Sequence, residues 1–334
     1  MKQSRIESFF SFIPQFKEKH KKYFIYSPDI KNPCAEFSYK PLPTDTYITT
    51  TKLGIKLYYR EPRDTPQIEW PIIQTQASIP LLKSNLQKAI RRKNEFVALQ
   101  TALSLLQIDS IAFLRRLAVI YIEDVCLTES YPIIIWFMMA LPIYQITSLD
   151  TDIIMHIVFH LCQCNSVYMP TEIIENTITK LSAYNAHIQL QEYQDANTLL
   201  ALYYRAKYGG MKCDMNMLLK SVQYYMKYPE QIEKTTEYNV LNYDELLGSL
   251  SIDSVEILKE AVDFHPFPSM IRELYILLEG KYTEEEIKRT IWFSESGVNM
   301  RKQWTIDDSL KYKKESCWQA IKKEIGFVRS KLLW

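Results

Sequence analysis

The amino-acid sequence predicts a mainly α protein: a multi-helical body with a small β-containing N-terminal segment. From about Leu81 onward, apolar residues recur near a 3.6-residue period, whereas residues 34–80 hold short β-rich runs broken by prolines. Glycine is scarce, with seven in 334 residues (Gly54, Gly209, Gly210, Gly248, Gly280, Gly297 and Gly326). A P-loop needs G-x-x-x-x-G-K-[ST] and a Rossmann turn needs G-x-G-x-x-G, because small residues let backbone amides close on a phosphate. No pair of these glycines has either spacing, so P-loop hydrolysis and dinucleotide chemistry are not expected.

Residues 1–33 read as a flexible leader, charged and aromatic, with Pro14, Pro28, Pro33 and the basic run Lys17–Lys22. Residues 34–80 read as a small β-hairpin segment. Within it, Tyr47–Arg60 holds two β-rich runs around Leu53-Gly54, and Pro41, Pro43, Pro62, Pro66 and Pro71 keep any sheet small. Residues 81–334 read as an all-α body, divided into 81–165 and 166–334. Leu82, Leu86, Ile90, Val97, Leu103 and Leu106 give one apolar face, and Asp109-Ser110 caps a helix on which Leu114, Leu117, Ala118 and Tyr121 align. Further helices are expected over roughly 131–146, 150–163, 170–184, 191–208, 214–228, 252–263, 268–279, 283–293 and 305–330. The apolar run Ile133–Leu141 stops at Pro142, far short of the ~20 residues of a membrane span, and reads as a core helix.

Composition narrows the function. Hydrophobic residues at 47% support a large core, and 40 Lys+Arg against 39 Asp+Glu excludes an overall basic coat for nucleic acid or membrane. Six scattered cysteines and a start without an apolar h-region predict a soluble intracellular protein with reduced thiols.

Gln3-Ser-Arg-Ile6-Glu-Ser-Phe9-Phe10 has the spacing Gln-x-x-aliphatic-x-x-aromatic-aromatic. It resembles the PCNA-interacting peptide box of sliding-clamp partners. In such a box one helical turn gathers Ile6, Phe9 and Phe10 into an apolar plug, Gln3 fills a polar pocket, and Lys2 and Arg5 suit an acidic surface. The plainer reading makes Phe9, Phe10 and Phe12 the start of a buried apolar segment.

A second resemblance covers about residues 81–130. The strings Leu86-Gln-Lys-Ala-Ile-Arg-Arg-Lys93, Ala98–Leu103, Phe113-Leu-Arg-Arg-Leu117 and Ile122-Glu-Asp-Val-Cys-Leu127 resemble the C-terminal helical region of the RarA/MgsA replication-associated ATPases. Val125-Cys126 replaces the Ile-Gly usual there, and the motor is missing. The resemblance implies a helical scaffold for oligomerisation or DNA association, without ATP hydrolysis. On that basis Arg91, Arg92, Lys93, Arg115 and Arg116 are candidate DNA contacts. The alternative is that Arg115 and Arg116, with Glu123 and Asp124 two turns on, make ion pairs that orient their helix; paired or solvated charge is the commoner use of such residues.

Other signals are weaker. His156, His160, Cys162 and Cys164 have metal-like spacing, but they sit in an apolar helix without a second ligand pair, so no metal is expected. His265, Asn299 and Arg301 mark a polar-loop site near Asp263; without a nucleophile or metal cluster, a capped helix end with a packed histidine is the simpler account. Tyr203–Tyr208 and Lys311–Trp334 interleave basic and aromatic residues, as single-stranded nucleic acid prefers and as amphipathic helices also do.

The expectation is a non-enzymatic accessory protein of DNA replication or repair, nuclear or at replication sites. Its partners would be a PCNA-type clamp, DNA as a candidate, and a second copy through the helical body, with no cofactor and no membrane. The alternatives are a clamp-tethered nuclease, for which Asp150, Asp152, Asp307 and Asp308 are candidate acids, and a structural protein with a chance clamp-like start.

Overall fold

A computed structural model describes residues 21–29, 31–62, 69–141, 143–165, 183–234, 254–258, 261, 268–295 and 308–332. Among these the chain is mainly helical, with one small N-terminal sheet. The strands are β1 (Tyr23–Ser27), β2 (Cys34–Ser38), β3 (Thr46–Thr50) and β4 (Lys56–Tyr59), in the order β2-β1-β4-β3. β3 and β4 form the expected antiparallel hairpin, and Gly54 takes φ 78° in its turn.

The sheet corrects one expectation. β1 lies inside the segment read as a flexible leader, yet it is an inner strand, antiparallel to β2 and parallel to β4. Its Phe24, Ile25 and Tyr26 are all buried. A strand covered on both faces has no alternating pattern to betray it, and its parallel partner lies some thirty residues downstream. Phe24 stacks on Phe37 of β2, with ring centroids 4.1 Å apart.

Eight helices follow in the main body: α1 (Ile79–Arg91), α2 (Glu95–Ile108), α3 (Ser110–Asp124), α4 (Tyr131–Ala140), α5 (Ser148–Gln163), α6 (Ala183–Leu190), α7 (Ala196–Lys207) and α8 (Lys212–Lys227). Local chemistry starts several of them. Asn94 and Asp109 accept hydrogen bonds from the Val97 and Ala112 N–H groups at 3.1 and 2.8 Å, and Thr147 with Asp150 forms a capping box on α5. All ten residues of α4 are buried, and it packs on α3, α7, β1 and β2. It ends at Ala140 rather than near 146, since Leu141 precedes Pro142 and turns extended. The stretch expected over 191–208 begins later, because α6 and α7 are separated by a turn.

Residues 254–258 are not helical, against the helix expected over 252–263. Two amide side chains hold their backbone. Gln100 Nε2 donates to Ser254 O at 2.6 Å, and its Oε1 accepts from Glu256 N at 2.8 Å. Asn85 Nδ2 donates to Glu256 O at 2.8 Å, and its Oδ1 accepts from Leu258 N at 2.9 Å. Both amides are buried, so the segment finds on α1 and α2 the partners that a helix would otherwise supply from within.

Three further helices, α9 (Pro268–Leu277), α10 (Glu284–Glu295) and α11 (Asp308–Leu332), share a core of their own that includes Leu274, Ile287, Ile291, Cys317 and Ile321. No described helix is long and apolar enough to cross a membrane.

Candidate functional site

The clamp-like residues Gln3, Ile6, Phe9 and Phe10 lie outside the described residues, as do His265, Asn299 and Arg301. The basic candidates are described, and they separate into three places.

Arg91 ends α1 and reaches α3. Its Nε donates to Asp124 Oδ1 at 2.6 Å, and Nη2 pairs with the same carboxylate. The two side chains are 6% and 1% exposed. Gln87 Nε2 bridges Asp124 Oδ2 at 2.7 Å and Glu123 Oε2 at 3.1 Å, while Arg116 Nη1 lies 3.5 Å from Gln87 Oε1. Burial and the adjacent Asp124 charge push the Glu123 carboxyl above its ordinary range. This is the helix-orienting use of charge, but with a partner other than the one expected: Asp124 is held by Arg91 of α1 rather than by Arg115 or Arg116 on its own helix. Arg91 is thereby withdrawn from the candidate DNA contacts, because a guanidinium buried on a carboxylate does not face solvent.

Arg92 and Lys93 are exposed at the end of α1. Lys93 takes φ 58°, with its N–H bonded to Ile90 O and the Asn94 N–H bonded to Ala89 O, so a non-glycine residue occupies the left-handed position closing the helix. Its Nζ donates to Asn165 Oδ1 at 3.2 Å, beyond the end of α5.

Arg115 is exposed on α3 and faces a different neighbour. Arg205 of α7 is 2% exposed; its Nη1 donates to Gly209 O at 3.1 Å and its Nη2 to Arg115 O at 3.4 Å. A Cβ placed on Gly210 would stand 3.9 Å from Arg115 Nη2 and 3.9 Å from Arg205 Nη1. Composition could not single out Arg205, since Tyr203-Tyr-Arg-Ala-Lys-Tyr208 reads as a basic surface face. In the structure Tyr203 and Tyr204 are buried, and the Tyr204 hydroxyl lies 2.6 Å from His187 Nδ1, so these rings are not open to stack on bases.

The histidine–cysteine run forms no metal centre: among the described residues no group of three or more His, Cys, Asp or Glu is arranged to hold an ion. Cys164 Sγ lies 3.7 Å from both ring nitrogens of His160. A hydrogen bond from Cys126, opposed by burial and helped by His160, pulls the Cys164 thiol down to about 5. Burial and the charge of His160 take His156 down to about 4, and burial pushes Cys162 up. Cys126 was not among the sequence candidates, being 38 positions from Cys164. None of the six cysteines forms a disulfide.

Of the candidate nuclease acids, Asp150 is committed to structure. It accepts from the hydroxyls of Tyr26 (2.9 Å), Tyr144 (2.8 Å) and Thr147 (2.8 Å). Asp152 is buried, Asp307 lies outside the described residues, and Asp308 opens α11.

Comparison with protein-family models, with curated proteins and with solved structures finds no match to this chain.

Proposed function

We propose that this chain is a sliding-clamp-binding accessory protein of DNA replication or repair, a non-enzymatic adaptor or DNA-associated scaffold. One observation carries the reading: Gln3, Ile6, Phe9 and Phe10 stand at the four anchor positions of a clamp-binding box. Residues 11–22 lie between the box and β1, and fully extended they reach at most about 45 Å. The adaptor role, the nuclear or replication-site location and association through the helical body follow from the same reading. Of the candidate DNA contacts, Arg92, Lys93 and Arg115 are the exposed ones and remain in it.

The test is binding of a peptide of residues 1–14, and of the full chain, to a PCNA-type clamp. Micromolar affinity is expected for the peptide, about −8 kcal/mol. Phe9→Ala with Phe10→Ala should abolish it, since central aromatic anchors carry about 2 kcal/mol or more each. Gln3→Ala should weaken it less and Glu7→Ala hardly at all. A Glu7→Ala loss as large as that of Phe9→Ala would remove the plug from the argument and with it this function.

A further inference from the structure

The charges around Gly210 leave an unanswered demand. Arg205 is buried and carries five N–H donors, of which two reach carbonyl oxygens, Gly209 O and Arg115 O. Its Nε is buried with no hydrogen-bond partner among the described residues. Neither Arg205 nor Arg115 has a carboxylate within ion-pair distance among those residues. Asp214 acts on Arg205 only through its field, and its Oδ1 is 3.5 Å from Cys213 Sγ. A buried guanidinium is costly without a counter-charge, and here a second guanidinium of the same sign stands beside it.

The surroundings are built for an anion. Gly209 and Gly210 take φ 106° and 148°, a turn that side-chain-bearing residues rarely adopt. The space beside Gly210 is bordered at 3.9–4.0 Å by three guanidinium nitrogens, and Gly210 itself is exposed, so the space is open to solvent. Next along the chain comes the N-terminus of α8, sixteen residues long, whose N-cap Met211 gives no side-chain hydrogen bond. Uncapped N–H groups and the positive end of the helix add to the two arginines, offset in part by Asp214 in the first turn of α8.

We propose that Arg205, Arg115 and the Gly209-Gly210 turn before α8 form an oxyanion site that takes the dianionic phosphoryl group of a phosphate monoester. Forked guanidinium donors suit a tetrahedral oxyanion with several acceptor oxygens, and two cations with a helix terminus suit a double negative charge. The monoester can be a free metabolite or the 5′-phosphate of a nucleic-acid strand; the chemistry at the site is the same. The site does not involve residues 3–10, so its failure and that of the clamp reading are separate events.

The test is calorimetric titration of the full chain with sodium phosphate, set against sodium chloride at matched ionic strength. Phosphate should bind and chloride should not. Arg115→Ala, a change at an exposed side chain that leaves the fold intact, should weaken phosphate binding about tenfold or more. Arg205→Lys should weaken it too, since a point charge loses the fork, while Lys220→Ala on the exposed face of α8 should change nothing. A second arm compares a short single-stranded oligonucleotide with and without its 5′-phosphate. Preference for the phosphorylated strand identifies a strand end as the source, and phosphate binding without that preference identifies a free ester; both uphold the site. An equal response to phosphate and chloride, or unchanged affinity in Arg115→Ala, overturns it.

Discussion

The Tyr26 hydroxyl donates to Asp150 Oδ1 at 2.9 Å, joining β1 to the capping box of α5 across 124 positions of sequence. The carboxylate that starts a helix thus also anchors a strand, and both ends of the bond are buried. Tyr26→Phe should lower the unfolding free energy by about 1–3 kcal/mol, because the carboxylate loses one of its donors where water cannot replace it. Asp150→Ala should cost more, as it strips partners from Tyr26, Tyr144 and Thr147 together. Urea unfolding decides it: a Tyr26→Phe protein as stable as the parent would show that β1 is not held this way.

Arg91 and Arg115 should behave as opposites. Arg91→Ala leaves Asp124 charged and buried without its partner, and the expected loss is about 3–5 kcal/mol. Arg115→Ala should fall within about 0.5 kcal/mol of the parent, as an exposed change usually does. Thermal or chemical unfolding of the pair measures the contrast. Equal effects would mean the charge network between α1 and α3 is drawn wrongly.

Lys93 occupies a backbone region that glycine enters freely. Lys93→Gly should therefore stabilise the protein by about 1 kcal/mol, less whatever its contact with Asn165 contributes. Lys93→Ala keeps the strain and loses the contact, so it should be neutral or slightly destabilising. The ranking of the two variants in one unfolding series is the check.

Cys164 should be a thiolate at neutral pH. Its folded value is drawn down from 9.0 to about 5, so the stability it contributes is present above the unfolded value and is lost as pH falls through about 5. His160 moves the other way: its raised value contributes stability below 6.5 that is lost as pH rises through the folded value. Thiolate absorbance in the ultraviolet should persist down to about pH 5 and vanish in Cys164→Ser. His160→Phe should shift the titration upward. A titration near the ordinary thiol value in the parent protein would sink the pairing.

Much of the fold was legible because its causes are local. Asp109 announces its helix by side-chain chemistry within a few residues, and the apolar run from Ile133 identifies α4 by its length. The cap at Asn94, which divides the apolar face read from Leu82 to Leu106 between α1 and α2, and the cap at Thr147 were passed over. β1 was not legible, since Phe24-Ile-Tyr26 becomes a strand through partners at 34–38 and 56–59. The sites divide the same way. Arg91, Arg92 and Lys93 are adjacent in sequence yet serve different ends, because the turn after α1 points them apart. Arg205 looked like a surface cation, and only the packing of α7 against its neighbours hides it. The clamp-like motif is legible by its nature, being a local spacing that asks nothing of the rest of the chain.

The amides of Asn85 and Gln100 carry a consequence for how the protein comes to be. Each offers the donor–acceptor pair of a peptide group to a segment made long after α1 and α2 have left the ribosome. Asn85 also donates to Thr101 Oγ1 at 2.8 Å, but without residues 254–258 the other four hydrogen bonds of these two side chains have only water to replace them. The packing of α1 and α2 is thus completed by a stretch of chain more than 150 positions away. A truncation that ends before Ser254 would leave two amides with no peptide to hold, on helices that are otherwise ready to pack.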